Sequence, residues 1–247
     1  MKALVYGYGV MGKKVCAALD ADDTLGLTAV ISPYFDTKPA VPAFESLEDY
    51  EGDADVIIDF SHPANLGDIV SYAKKTNTPV VFATTGYSED DLKTIETLSE
   101  EVPVFQSYNT SYGVAMLVKM VRDYAKDLFE HGFDIEITEA HHRRKIDAPS
   151  GTADLLYRTM ADTIDDTEPV YGRHDRHEKR GEREIGISSL RGGTIYGEHT
   201  VMFAGEDEII KVSHEALSRD IFAHGAVAAA KTLVTKEKGL YNLTTLY

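Results

Sequence analysis

The chain has a single cysteine, Cys16, in 247 residues, so no internal disulfide can form and a reducing compartment, the cytoplasm, is expected. Cations are scarce too: 25 Lys and Arg stand against 41 Asp and Glu, a formal net charge of −16. A surface of that sign repels nucleic acid and anionic lipid wherever its few cations are not gathered. Neither is an expected partner. No apolar run approaches the roughly 18 residues a membrane-spanning helix needs. The opening MKALVYGYGVMGKKVCAAL has the Lys2 and apolar start of a secretory signal, but Gly7, Gly9 and Gly12 break the stretch and Lys13 and Lys14 end it. Low-complexity blocks are also missing, and 43% hydrophobic with 27% charged residues is a globular composition.

What is present is an alternation. KALVY (2–6) is a short apolar run that ends at glycines, and residues 11–20 carry Met11, Val15, Ala18 and Leu19 at helical spacing. LTAVIS (27–32), DVIIDF (55–60), PVVFATTG (79–86) and VPVFQS (102–107) are near-continuous apolar runs separated by helix-like segments at 63–75 and 88–100. Runs apolar on both faces belong to buried parallel strands. The pattern predicts a Rossmann-like, doubly wound α/β unit over the first ~110 residues. After an amphipathic segment at 111–130, residues 133–142, 185–193, 194–205 and 207–217 tend to alternate apolar with polar, which predicts a mixed or antiparallel sheet with one wetter face. A second, α+β unit is therefore expected at 113–218. The first, 1–112, is completed by 219–247, whose alanine-rich helix (220–236) returns to it. Residues 165–184, polar and highly charged, are expected to form a long loop, either a lid or a solvated connection.

Gly7-Tyr8-Gly9-Val10-Met11-Gly12 fits G-x-G-x-x-G between a strand and a helix. The first glycine permits the turn, the second lets the backbone approach a pyrophosphate, and the third lets the helix pack close. The acidic residue that usually reads the ribose is expected about 20 residues further on, where Ser32 stands; Asp36 lies beyond it in a loop. With no carboxylate at the strand end and Lys13, Lys14 and Lys38 nearby, both NADH and NADPH remain open as cofactor. Ala83-Thr84-Thr85 and Tyr108-Asn109-Thr110-Ser111 follow the fourth and fifth strands, at the carboxyl edge where open α/β sheets bind ligands. They are assigned to the nicotinamide end, although Ser111 alone reads better as a helix N-cap.

The second constellation runs from Glu139 to Ala153, EAHHRRKIDAPSGTA. Three formal cations and two histidines in five residues stand out in so acidic a chain, and Pro-Ser-Gly-Thr opens a helix (153–164) whose free N–H groups bind carboxylates. The cluster suits a small polyanion. On these residues the chain closely resembles the dihydrodipicolinate reductases: EAHHRRKIDAPSGTA fits the family signature at every fixed position, and GYGVMG, TTG (84–86), SYNTSYGV (107–114) and RGGTIYGEHTVMFAG (191–205) extend the likeness over nearly the whole chain. The resemblance implies an NAD(P)H-dependent reduction of 4-hydroxy-tetrahydrodipicolinate, or its dehydrated form, to tetrahydrodipicolinate in diaminopimelate and lysine biosynthesis. It implies His141 as proton donor assisted by Lys145. His142, Lys145, Gly151 and Thr152, with Ser150 at the same helix start, would hold a small dicarboxylate, and a homotetramer would form through the second unit's sheet. A histidine titrating near neutrality and a fixed lysine charge suit a hydride addition that leaves negative charge behind. Ala83 and Ser107-Tyr108 depart from the family pattern near the nicotinamide.

Other readings are weaker. Cys16 reads as a small core residue. His174 and His177 lack a third ligand, and His141 and His142 point to opposite faces of a strand, so no metal is expected. A non-enzymatic NAD(P)H sensor or another two-lobed amino- or hydroxy-acid dehydrogenase would explain Gly7–Gly12, but not why HHRRK leads into DAPSGT.

Overall fold

A computed structural model describes residues 1–247. The chain divides into two compact units, the first made of Met1–Tyr112 and Asp220–Tyr247, the second of Gly113–Arg219. In chain order the first unit begins with β1 (Lys2–Tyr6), α1 (Val10–Asp20), β2 (Gly26–Ile31), β3 (Ala43–Phe44), β4 (Val56–Asp59) and α2 (Leu66–Thr76). It continues with β5 (Val80–Phe82), α3 (Glu89–Ser99) and β6 (Pro103–Gln106). Then come α4 (Tyr112–Glu130), β7 (Asp134–His141), α5 (Gly151–Ala161), β8 (Glu168–Tyr171), β9 (Glu184–Arg191), β10 (Glu198–Ala204) and β11 (Ile209–Glu215). The chain returns to the first unit with α6 (Asp220–Leu233) and β12 (Gly239–Tyr241).

The first unit holds a seven-stranded sheet in the order β12-β6-β5-β4-β1-β2-β3, and every pair in it is parallel. The strand order steps outward in both directions from β1, so the ends of β1, β4 and β5 flank the place where the connections change sides. Ala3, Leu4, Val5, Ile57, Ile58 and Val81 are wholly buried, the two-sided burial that apolar runs foretell. Helix α1 buries Val15, Cys16 and Leu19; Cys16 is a free, buried thiol that desolvation pushes up to about 12, inert as a nucleophile. The alanines of α6 let its backbone come close: a Cβ on Gly225 would stand 1.9 Å from the Thr110 carbonyl oxygen.

The second unit holds a five-stranded mixed sheet, β11-β10-β7-β9-β8. The β7–β9 and β8–β9 pairs are parallel, and β7–β10 and β10–β11 antiparallel. Ile135, Ile137, Ile185, Ile187, Val201 and Phe203 bury one face. The other face presents Thr138, Leu190, Ile209, Lys211, Ser213 and Glu215 to solvent.

The α/β class and the mixed second sheet are as expected, but three short strands are additions. β3 and β12 have two and three residues, too few to show a period. β8 lies inside the stretch expected to be loop, which corrects that expectation for 168–171. An edge strand needs only one inward side chain, and here only Val170 is buried. The rest of the stretch is tied down by charge: Arg173 and Arg176 pair with Glu184, and Arg180 with Glu136 and Asp134. Helix α5 also begins at Gly151, two residues earlier than expected, because the Ser150 hydroxyl caps it by accepting from the Ala153 N–H at 3.2 Å.

Candidate active site

In the first unit the three glycines after β1 serve different needs. Gly7 has φ +99°, and a Cβ there would come within 2.5 Å of the Phe60 carbonyl oxygen. On Gly12 it would stand 1.9 Å from the Gly7 carbonyl oxygen, whereas on Gly9 it would meet nothing within 4 Å. The fold itself requires the first and third, while the second leaves backbone open to close approach by a ligand. Gly9 is also the N-cap of α1, with no side-chain cap and no acidic residue in the first turn. The unpaired N–H groups and the positive end of the helix dipole therefore face outward, as a pyrophosphate requires.

Two cavities meet at this turn. One, of about 380 Å³, is lined by Gly7, Tyr8, Gly9, Ser32, Tyr34 and Asp36 among others; the second, of about 290 Å³, by Met11, Ala83, Thr84, Thr85, Tyr108 and Thr110 among others. Phe60 and Ser61 belong to both. Ser32 is buried and its hydroxyl donates to the Tyr34 carbonyl at 2.6 Å. Asp36, in the loop, lines the first cavity with both carboxylate oxygens on Lys13 Nζ, at 2.7 and 2.8 Å. Lys14 pairs with Asp220, Lys38 is exposed, and Val10 is 67% exposed at the first turn of α1. Asn109 shapes its own turn, its Oδ1 accepting from the Ser111 N–H at 2.9 Å, and Thr110 donates to the Phe222 carbonyl at 2.6 Å. These residues thus gather at one edge of the sheet, with Asn109 and Ser111 committed to the loop that carries Tyr108 and Thr110.

The second centre lies at the carboxyl end of β7. Glu139 is 1% exposed and accepts from four groups. Arg191 donates to both of its oxygens at 2.8 and 2.7 Å, the Ser150 N–H donates to Oε1 at 3.2 Å, and the His141 Nδ1 stands 2.6 Å from Oε2. Burial would raise the Glu139 carboxyl, but Arg191, Ser189 and His141 hold it down at about 2. An ionised Glu139 keeps the proton of His141 on Nδ1 and leaves Nε2 as the exchanging nitrogen. A Cβ on Gly197 would stand 3.1 Å from that Nε2, so glycine there keeps its approach clear. Burial pushes the His141 imidazole below its ordinary value; Glu139 opposes this, and the charges of Lys145 and Arg191 add to it.

Lys145 Nζ pairs with Asp147 at 2.9 Å, and Arg191 also donates to the Asp147 carbonyl at 2.6 Å. The loop 145–150 is thereby drawn over the strand end. His142 follows β7 with a buried Nδ1 that has no partner. Gly151 and Thr152 form the first turn of α5, whereas Ser150 is 2% exposed and already engaged, its hydroxyl 2.9 Å from His199 Nε2. His199 is 4% exposed, stacks edge-on against the His141 ring at 5.1 Å and is pushed by burial down to about 4.

The sequence reading assigned no part to Glu139, Arg191 or His199. The signal for Arg191 was its place in RGGTIYGEH, but its partner lies 52 residues away, joined only by the β7–β9 register that sets His141 opposite Arg191. Asp59, Ser61 and Phe222 were likewise read only as ends of a strand or helix. In chemical terms the second centre offers one neutral imidazole with a fixed tautomer, a nearby ammonium and a helix start, which together can hold an anion and hand it a proton.

A dinucleotide-binding unit joined to an α+β unit with such a centre defines a class, the nicotinamide-dependent oxidoreductases. Sequence models of dihydrodipicolinate reductase match almost end to end, its N-terminal part over residues 1–110 and its C-terminal part over 113–246. The chain belongs to the dihydrodipicolinate reductase family. It is 48% identical over 247 residues to a 4-hydroxy-tetrahydrodipicolinate reductase of Exiguobacterium sp., covering 100% of this chain and 96% of that protein. With the enzyme of the same name from Staphylococcus carnosus it shares 47% over 241 residues, 98% of this chain and 97% of the other. Among solved structures, the dipicolinate-bound dihydrodipicolinate reductase of Paenisporosarcina sp. superposes with a TM-score of 0.80 at 23% identity, over 98% of this chain and 97% of that one. At that identity it supports the fold.

Proposed function

We propose that this chain reduces 4-hydroxy-tetrahydrodipicolinate to tetrahydrodipicolinate with NADH or NADPH, a step of diaminopimelate and lysine biosynthesis. The observation that carries the reading is His141, its Nδ1 held by an ionised Glu139 beside Lys145 and the start of α5, in a full-length member of this family. The turn Gly7–Gly12 and the two cavities fit the cofactor: an uncapped helix start and the open face of Gly9 for the pyrophosphate, and Ala83 to Thr85 with Tyr108 to Ser111 toward the nicotinamide. When bound, the reduced nicotinamide supplies the hydride.

The residues of the second unit do the rest. Gly151 and Thr152 offer N–H groups to one carboxylate, His142 its unpartnered nitrogen to the other, and Ser150 keeps the helix start in place. Lys145 leaves Asp147 for the substrate, where its charge anchors a carboxylate and steadies the negative density that the hydride creates. His141 gives up the proton on Nε2 while Glu139 keeps the ring oriented. A dianionic substrate opposes the two cations that depress His141, so binding itself favours the protonated acid. Because Lys13 and Asp36 neutralise each other at the cofactor cleft, neither a free ribose nor a 2′-phosphate is repelled there, and both cofactors should be used within about tenfold. The single cysteine supports a cytoplasmic location, and no helix is long and apolar enough to cross a membrane.

The test is loss of NAD(P)H absorbance with freshly made synthase product. The wild type should consume cofactor, and His141→Ala should lower kcat by about 10²–10⁴ with cofactor affinity retained. Arg144→Ala should stay within a few-fold, since that side chain is exposed and outside the cluster. Binding without consumption would instead mark a sensor. The exposed sheet face of the second unit supports a homotetramer, and light scattering should return four times the chain's 27.2 kDa.

A further inference from the structure

Asp59 ends β4, the strand beside β1, and has no exposed surface. Its Oδ1 accepts from the Ser61 N–H at 3.0 Å and from the Ser61 hydroxyl at 2.6 Å, and its Oδ2 accepts from the Tyr87 hydroxyl at 2.9 Å. The Thr84 hydroxyl donates to it as well, while Thr84 Oγ1 accepts from the Ser61 N–H at 2.9 Å. No cationic side chain contributes to this environment. Buried carboxylates are ordinarily matched by a cation, and this one is matched only by neutral donors.

Two of those donors, Ser61 and Thr84, line the cavity of about 290 Å³ that also includes Met11, Tyr108 and Phe222. A hydroxyl has one proton. With the protons of Ser61 and Thr84 turned toward Asp59, their lone pairs are what the cavity can receive, backed by a carboxylate charge that nothing in the chain cancels. Such a wall suits amide N–H donors and a ring bearing positive charge. A nicotinamide answers both descriptions: its carboxamide donates, and its ring is neutral before hydride transfer and cationic after it.

We propose that Asp59 is a positioning residue for the nicotinamide, which holds the Ser61 and Thr84 hydroxyls proton-inward and biases the cavity toward the cationic, oxidised ring. The proposal rests on the reading of this cavity as the nicotinamide end of the cofactor site. It explains why a charge is kept at the end of an otherwise apolar strand, VIID. A purely structural Asp59 would affect both redox forms of the cofactor alike.

The experiment is calorimetric titration of the full chain, without substrate, using the more tightly bound of NADH and NADPH and the matching oxidised form. Asp59→Asn should weaken the oxidised form by about tenfold or more, the scale for one charge acting over several ångströms at a protein-like dielectric, and the reduced form by less than about threefold. Tyr87→Phe removes a donor outside the cavity and should leave the ratio of the two affinities within about twofold. If Asp59→Asn does not fold, Ser61→Ala carries the test and should shift the ratio in the same direction by about threefold. Equal weakening of both forms, or no change in either, overturns the proposal while the cofactor reading stands. A wild type that takes up neither form overturns both.

Discussion

The two centres are made of different material. The cleft of the first unit is backbone and hydroxyl: three glycines, an uncapped helix start, Ser61, Thr84 and Thr110, with one buried carboxylate behind them. The centre of the second unit is charge and imidazole: Glu139, Arg191, His141, His199 and Lys145, drawn from β7, β9, β10 and the loop before α5. A large ligand that must be held along its length and released each turnover is met by dipoles and surface shape. A small polyanion that must accept a proton at one atom is met by side chains whose ionisation is fixed by their neighbours. The contrast also appears at two helix starts: α1 has no side-chain cap, while α5 is capped by Ser150, itself against His199.

If the second centre depends on charges fixing one another, removing one member should do more than remove a contact. Arg191→Ala leaves Glu139 buried beside a neutral histidine, and breaking a buried pair from one side costs about 3–5 kcal/mol. Denaturant unfolding should show that loss, with activity falling further as His141 loses its orientation. A stability change below about 1 kcal/mol would mean that Glu139 finds another donor, and that the two centres differ less than the geometry implies.

This dependence is also why the centres were not equally legible. The glycine turn spans six consecutive residues, and its job is written in a local conformation that only glycine fills, so a strand before it and a helix after it suffice. The Glu139–Arg191 pair needs the β7–β9 register, which no local pattern announces. His199 looked like one residue of an alternating strand, yet its inward side chain is a histidine among isoleucines and valines. In the fold the same rule holds. Strands of four or more buried residues were visible as apolar runs, whereas β3, β8 and β12 exist only because a neighbouring strand offers an edge.

His199 gives the comparison a pH dependence. Its pKa is about 4 in the folded chain against 6.5 for an ordinary histidine, so between those values the unfolded chain binds more protons. Stability then rises with pH across the window; it is intact above about 6.5 and is lost progressively as pH falls to about 4. The loss amounts to about 3 kcal/mol. His199→Gln, which keeps a hydrogen-bonding group beside Ser150, should flatten that part of the profile. Thermal unfolding from pH 7.5 to 4 checks it, and a variant with an unchanged slope would place the acid sensitivity elsewhere, His214 being the next candidate because burial depresses it too.

The smallest expected effect tests the backbone cleft, and it uses two glycines three residues apart. Gly9 has φ −78° and ψ −161°, a conformation open to any L-residue, and a Cβ there touches nothing. Gly9→Ala should therefore fold with a loss of no more than about 1 kcal/mol, the cost of a poorer N-cap. It should nevertheless bind NAD(P)H about tenfold more weakly, because the new methyl stands where the pyrophosphate must meet bare backbone. Gly12→Ala should do the reverse, since its Cβ would be driven into the Gly7 carbonyl and the turn itself must shift. Calorimetric binding and thermal unfolding of both variants separate the two kinds of requirement. Should Gly9→Ala bind as tightly as the wild type, the pyrophosphate does not approach at Gly9, and the open N–H groups of α1 lose their assigned ligand.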